Sequence, residues 1–392
     1  VACVPYDVIN EKEARALVEN NPYSFLRVTR SEVEFDKDQN PYADETYNKS
    51  RQKLLDFISD GILIQDDEPA VYIYQQKMGS HIQTGIVACS AVDDYDSGVI
   101  KLHEKTRPDK EDDRTKHLLT LGAHQGPVFL TFNSTPAVNS LVTEGSKGTP
   151  LYEVTGEDGV VHTVWKASQS SAICEEFENI PCTYVADGHH RAASASRARA
   201  ELREKNPEHT GDEGYNVFLT VLFPADQVSI MAYNRVIIAN DLDAKATLEK
   251  LSAIASTTPC QHKEPANKGE VCVYIDKTWH SMNLAMACKA PSDPVRSLDA
   301  SVLQEEVLAP LFGVEDPRTS KNVSFIGGSR GTKELERLVD SGEASIAFSM
   351  FPVSIEDLIS VSDNGQTMPP KSTWFEPKLR SGLFVHPFNL EK

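Results

Sequence analysis

Asp187, Gly188, His189, His190 and Arg191 follow one another without a break, and these residue types suit the binding of phosphate. A short apolar segment, Cys182–Val185, precedes them and a run of strong helix formers, Ala192–Lys205, follows, so the cluster is expected at a strand-to-helix turn. Such a turn aims backbone N–H groups and the positive end of a helix dipole at its ligand, which favours an anion. Gly188 lets the backbone bend, the histidines donate hydrogen bonds, and Arg191 offers a planar fork matched to phosphate oxygens. Asp187 repels a phosphate unless a metal or a proton lies between, and that combination points to phosphate chemistry rather than storage. The plain alternative is a capped helix start with solvated basic residues, which needs no ligand. Metal ligation by His189 and His190 is disfavoured, because adjacent histidines on one turn point apart and no matching ligand pair lies nearby at helical spacing.

A second polar cluster lies earlier, where His103-Glu104-Lys105-Thr106-Arg107-Pro108 follows the apolar run Val99–Leu102. Lys101, His103, Lys105, Arg107 and Arg114 surround the isolated carboxylate of Glu104, which stays ionised among cations and acts as a general base if aimed at a hydroxyl. A solvated loop with ordinary ion pairs is the competing account. Asn234 and Arg235, just before Val236–Ile238, form a polar pair at a strand edge placed to face the same pocket. Gly327-Gly328-Ser329-Arg330-Gly331-Thr332 links a strand to a helix and resembles a phosphate cradle in type, without the spacing of either glycine-rich nucleotide fingerprint. The closing run Met368–Lys378 holds three prolines, two lysines and aromatic anchors. It reads as a stiff, packed arm bringing Lys371, Ser372 and Thr373 to a pocket.

The elements that must hold these groups are readable in outline. Asn10 caps a helix over Glu11–Glu19, a strand is expected over Ser24–Val28, and Asp44–Ser59 is an amphipathic helix. Strands over 71–75 and 84–92 pair across Gly79-Ser80, and a helix opens at Asp113-Arg114 and ends near Gly122. Hairpin strands flank Gly156–Gly159, and Val217–Phe223 is a buried strand. From Asp241 onward helices and strands alternate, including strands at 271–275 and 282–287 and a helix over 298–308, so a soft boundary is placed near residue 240.

With 392 residues the chain accommodates two or three domains. Lys plus Arg number 39 against 58 Asp plus Glu, a formal net charge of −19, which argues against nucleic acid or an anionic membrane as partner. Seven cysteines without a Cys-x-x-Cys pair suggest a reducing, cytoplasmic setting with buried thiols. No membrane-length apolar run or signal peptide is visible, and since Val1 is not Met a natural start upstream of it is expected.

Taken together, Pro5-Tyr6-Asp7-Val8-Ile9, His103-Glu104-Lys105-Thr106, Asp187–Arg191 and the closing Met-Pro-Pro-Lys-Ser-Thr-x-Phe-x-Pro-Lys with Ser381-Gly382-Leu383 resemble the family known as domain of unknown function 1015, from end to end and in order. Asp-Gly-His-His-Arg is also similar to the phosphate motif of ParB nucleotidases, sulfiredoxin and free serine kinases. The absence of a cysteine in the motif excludes thiol chemistry there. The resemblance implies an α+β fold, a ParB/sulfiredoxin-like mixed-sheet core with N- and C-terminal α/β additions. It would comprise an N-terminal segment over 1–80, a core over 81–240 carrying the phosphate motif, and a C-terminal segment over 241–392 with the arm.

The activity implied is phosphoryl transfer from pyrophosphate, or from ATP or ADP, to the hydroxyl of free L-serine, giving O-phosphoserine with Mg2+ expected alongside the donor. Glu104 takes the proton and Asp187 orients the acceptor or the magnesium ion. Gly188, His189, His190 and Arg191 hold phosphate, with Arg114, Arg235, Arg330 and Lys371 as further contacts. His103, Thr106, Asn234, Ser372 and Thr373 are the substrate-side candidates. Rival readings are a nucleotide-binding regulator without metabolite turnover and a phosphatase or nucleotidase. The oligomeric state is not legible.

Overall fold

The computed structural model describes residues 1–36, 39–238 and 242–390, and the chain divides into two units. One unit is formed by Val1–Leu102, Thr106–Val228 and the segment from Pro377; the other is formed by His103–Lys105 and Ser229–Glu376.

Besides a two-residue strand at His386–Pro387, the strands of the first unit are β1 (Tyr72–Met78), β2 (His81–Ala91), β3 (Ile100–Lys101), β4 (Ala123–His124), β5 (Val128–Phe132), β6 (Tyr152–Thr155), β7 (Val161–Lys166), β8 (Thr183–Asp187) and β9 (Val217–Pro224). All but β4 join one sheet in the order β3-β8-β5-β9-β2-β1-β7-β6. The sheet is mixed, since β3/β8 and β5/β9 are parallel and the remaining neighbours antiparallel. Every residue of β5 is buried, Thr131 included, as expected of a central strand covered on both faces. Ile73, Ile86, Leu130, Phe132, Val185 and Leu222 form the core with Ala192 and Ala195 of the helix His189–Lys205, whose small residues let it lie close to the sheet. A second apolar cluster joins Val18, Leu54, Phe57 and Leu121 of three N-terminal helices.

The second unit contains β10 (Ser229–Met231), β11 (Tyr233–Ile237), β12 (Thr257–Pro259), β13 (Val271–Ile275), β14 (Thr278–Met282), β15 (Val323–Gly327), β16 (Ile346–Met350) and β17 (Trp374–Glu376). Its antiparallel sheet runs β12-β14-β13-β16-β11-β15, and β10 pairs with β17. A division at residue 80 would part β1 from β2, which are paired in register across Gly79-Ser80. The boundary placed near 240 falls on residues outside those described, and β11, before it, pairs with β15 and β16 beyond it.

Several local expectations change. Ser24–Val28 is not a strand: Leu26–Thr29 is a helical turn whose Val28 and Thr29 N–H groups donate to Phe25 O, a case where a short apolar run carries no period to separate the two. The helix expected at Asp113 begins at Pro108, in the first-turn position where proline's missing N–H costs nothing. The strand placed at 282–287 lies instead at 278–282, because Asp276 and Lys277, both at positive φ, make the two-residue hairpin turn that fixes its register on β13. Asn234 and Arg235 lie within β11 rather than ahead of it. Thiols are less buried than expected: Cys3 and Cys272 are buried, whereas Cys89 and Cys174 are exposed. Among the described residues no helix is long and apolar enough to cross a membrane.

Candidate functional site

The strand-to-helix turn is formed as the sequence suggests. β8 ends at Asp187, Gly188 adopts φ +97° at the helix N-terminus, and His189, His190 and Arg191 make the first turn of the helix His189–Lys205. Gly188 is needed twice over: its φ is left-handed, and a Cβ there would meet Arg191 Nε at 3.2 Å. Arg191 folds back over the turn and donates through Nη1 to Pro127 O. His190 Nε2 accepts the Arg107 N–H at 3.1 Å, which fixes the ring and leaves that nitrogen deprotonated in this contact. His189 is buried.

Asp187 has a partner that sequence reasoning did not nominate. Lys378 Nζ donates to Asp187 Oδ2 at 3.0 Å, and the aspartate side chain keeps 30% of its surface exposed. Burial opposes ionisation of Asp187 most strongly, but Lys378 and Arg191, with His189, outweigh it and hold the carboxyl below the usual carboxylate range. The repulsion that Asp187 would exert on a phosphate is thereby offset by a fixed ammonium. Lys378 is itself held by its backbone: Gln76 Nε2 donates to Lys378 O at 2.9 Å, and Gln83 Nε2 to Gln76 Oε1 at 2.9 Å. Both glutamines are fully buried in the middle of paired strands, an anomaly that was a usable signal in the sequence, since a buried amide must answer to some polar group.

Arg114 extends the cationic surface of the same unit. Its Nε and Nη2 donate to Asp113 Oδ2 at 2.8 and 2.6 Å, and its guanidinium lies 4.2 Å from the Tyr6 ring centroid. Its Nη1 is buried and has no hydrogen-bond partner among the described residues, an expensive state for a charged donor unless a ligand or water meets it. Burial, followed by Asp7, pushes the Tyr6 hydroxyl up to about 12 against the pull of Arg114 and Arg191. Thr106 donates through its hydroxyl to Glu111, so it closes the start of a helix.

The remaining nominated residues lie in the second unit. His103 Nε2 and Thr373 Oγ1 are 3.0 Å apart, and His103 O accepts the Met368 N–H. Glu104 is half-buried. Arg235 is buried and donates to Tyr233 O and, at 3.2 Å, to Lys371 O; burial lowers it to about 10, and no carboxylate pairs with it among the described residues. With Tyr233, Ser372, Asp299 and Lys268 it lines a shallow recess open to solvent. Asn234 Oδ1 accepts the Met350 N–H at 2.9 Å and Ser372 Oγ donates to Pro369 O at 2.7 Å, which gives both side chains structural duties. Lys371, at φ +58°, places Nζ 5.7 Å from the Tyr233 ring centroid. Arg330 is exposed in a short 3-10 turn. The glycines before it answer to packing: a Cβ at Gly327 would meet the Trp374 ring at 2.7 Å, and one at Gly328 would meet Met231 Cβ at 2.6 Å.

A family described as a protein of unknown function (DUF1015) matches residues 1–301. The chain belongs to this family. No curated protein matches the sequence. Among solved structures, C-terminally truncated SbnI from Staphylococcus aureus is similar at 15% identity and TM-score 0.40, covering 76% of this chain and 85% of that one. A conserved hypothetical protein from Pyrococcus furiosus gives 14% and 0.37, covering 75% and 93%. A free serine kinase in complex with AMP gives 14% and 0.36, covering 74% and 86%. At such values the chemistry of this DUF1015 chain is to be read from its own residues.

Proposed function

We propose that the protein is a small-molecule phosphotransferase, transferring a phosphoryl group from pyrophosphate, or from ATP or ADP, to the hydroxyl of free L-serine. The observation that carries the reading is the cationic turn of the first unit, where Arg191 and Lys378 flank Asp187 at a helix N-terminus and Arg114 keeps a buried donor in reserve. Helix N-termini and arginine forks stabilise the charge of a transferring phosphoryl group more than they stabilise a neutral substrate. In this reading Arg191 and Arg114 hold donor oxygens, His190 is fixed as a neutral ring beside them, and Lys378 keeps Asp187 ionised.

Asp187, ionised and partly exposed, is the carboxylate suited to a magnesium ion carried in on the donor, where the ion neutralises phosphate charge. Glu104 is assigned the serine proton on the family resemblance, and the ParB/sulfiredoxin-like name for the fold rests on the same ground. The experiment is incubation with L-serine, Mg2+ and each donor in turn, with O-phosphoserine read by mass spectrometry. Formation with one donor, lost in Glu104→Gln and in Arg191→Met, is expected. If no donor yields phosphoserine, the reading is abandoned; phosphate released by water alone makes the protein a phosphatase instead.

A further inference from the structure

The second unit carries a cluster of soft ligands that the phosphotransfer reading does not use. Cys260, His262 and Cys272 each place one ligand atom within 4.8 Å of the other two. Cys260 follows the edge strand β12 and donates its N–H to Trp279 O at 2.9 Å, while Cys272 on β13 pairs with Ser281. The two cysteines therefore flank β14 from opposite sides. Both are free thiols, set on opposite sides of that strand. Their sulfurs nonetheless converge, as they must to share an ion at ~2.3 Å from each.

The histidine is set up in the matching tautomer. His262 Nε2 meets Glu270 Oε1 at 2.8 Å, and Glu270 is itself anchored by the Ala266 N–H at 2.9 Å and by the Ser281 hydroxyl. An imidazole that donates Nε2–H to a fixed carboxylate turns the Nδ1 lone pair outward, which is the second-shell arrangement of metal-bound histidine. Cys272 is fully buried beside Tyr274 and Trp279, Cys260 is half-buried and His262 is exposed, giving a sheltered site with a route from solvent. Glu264 and Glu270 add negative potential there.

We propose that Cys260, His262 and Cys272 bind a borderline-soft divalent cation of the zinc type, with water as fourth ligand, clasping the edge strand β12 to β13 across β14. Binding replaces two S–H bonds by two metal–thiolate bonds and releases both protons to solvent, so affinity rises with pH.

The test uses the full chain without an affinity tag, purified under reductant, with zinc measured by elemental analysis and Co2+ as a spectroscopic probe. One metal per chain and a thiolate-to-cobalt charge-transfer band are expected. Both should fall at least tenfold in Cys260→Ser and in the exposed His262→Ala, with far-ultraviolet circular dichroism unchanged. Because Cys272 is buried, the outcome rests on these two variants. Absence of the band, zinc retained by the double variant, or a Cys260–Cys272 disulfide found in unreduced protein overturns the proposal.

Discussion

Asp187 sits between a basic fork and an ammonium, and the backbone beside it is as constrained as its charge. Replacing Gly188 by Ala forces an L-residue to φ +97° and a methyl to 3.2 Å from Arg191 Nε. A loss of ~1–2 kcal/mol is expected in chemical denaturation, together with weaker donor binding. Arg191→Lys keeps the charge and removes the fork, so calorimetry with pyrophosphate should show affinity lower by about 10- to 100-fold; unchanged affinity would mean that Arg191 serves only Pro127. Of this site, Asp187 to Arg191 were legible because they are contiguous and of telling types. Lys378 was not, because its partner is 191 positions away and nothing in the closing motif says which of its two lysines turns toward an acid.

Strands β1 and β2 do more than fill the sheet. Their buried Gln83–Gln76 relay ends on the carbonyl of Lys378, so a paired strand fixes the position of the lysine that meets Asp187 through its backbone. Gln76→Leu leaves that carbonyl and the Gln83 amide unanswered, at a cost of about 1–3 kcal/mol for each stranded group. Hydrogen exchange should show residues 377–381 opening more often while β5 and β8 stay protected; equal protection throughout would remove the relay from the account. Long elements with a clear period or a sharp cap, such as Glu11–Glu19 with its Asn10 and Glu13 capping box, were readable. The turn at Leu26–Thr29 and the shifted β14 were not, because each depends on a few hydrogen bonds that no hydrophobic pattern encodes.

Acid should unsettle the first unit before it damages the chemistry. Burial, assisted by His386, depresses His124 to about 3, and burial with Arg380 depresses His162 to about 4. Both are neutral in the folded protein and protonate near 6.5 when unfolded, so their contribution is complete above that value and is lost as pH falls toward 4. The expected slope is about 1.4 kcal/mol per pH unit for each, read from denaturation midpoints between pH 7 and 4, and His162→Gln should flatten it. The second unit was legible as alternation of helix and strand from Asp241 onward and a mixed-sheet core only through the family resemblance; strand order was not, since the sequence places residues in order whereas the first unit is assembled from three separated stretches. That discontinuity has a consequence during synthesis. The ribosome makes the turn at Asp187 well before Lys378, and the entire stretch Ser229–Glu376 is translated in between. A product stopped short of Pro377 therefore holds Asp187 without the ammonium of Lys378, and that pairing can form only after translation has passed the final proline of the arm.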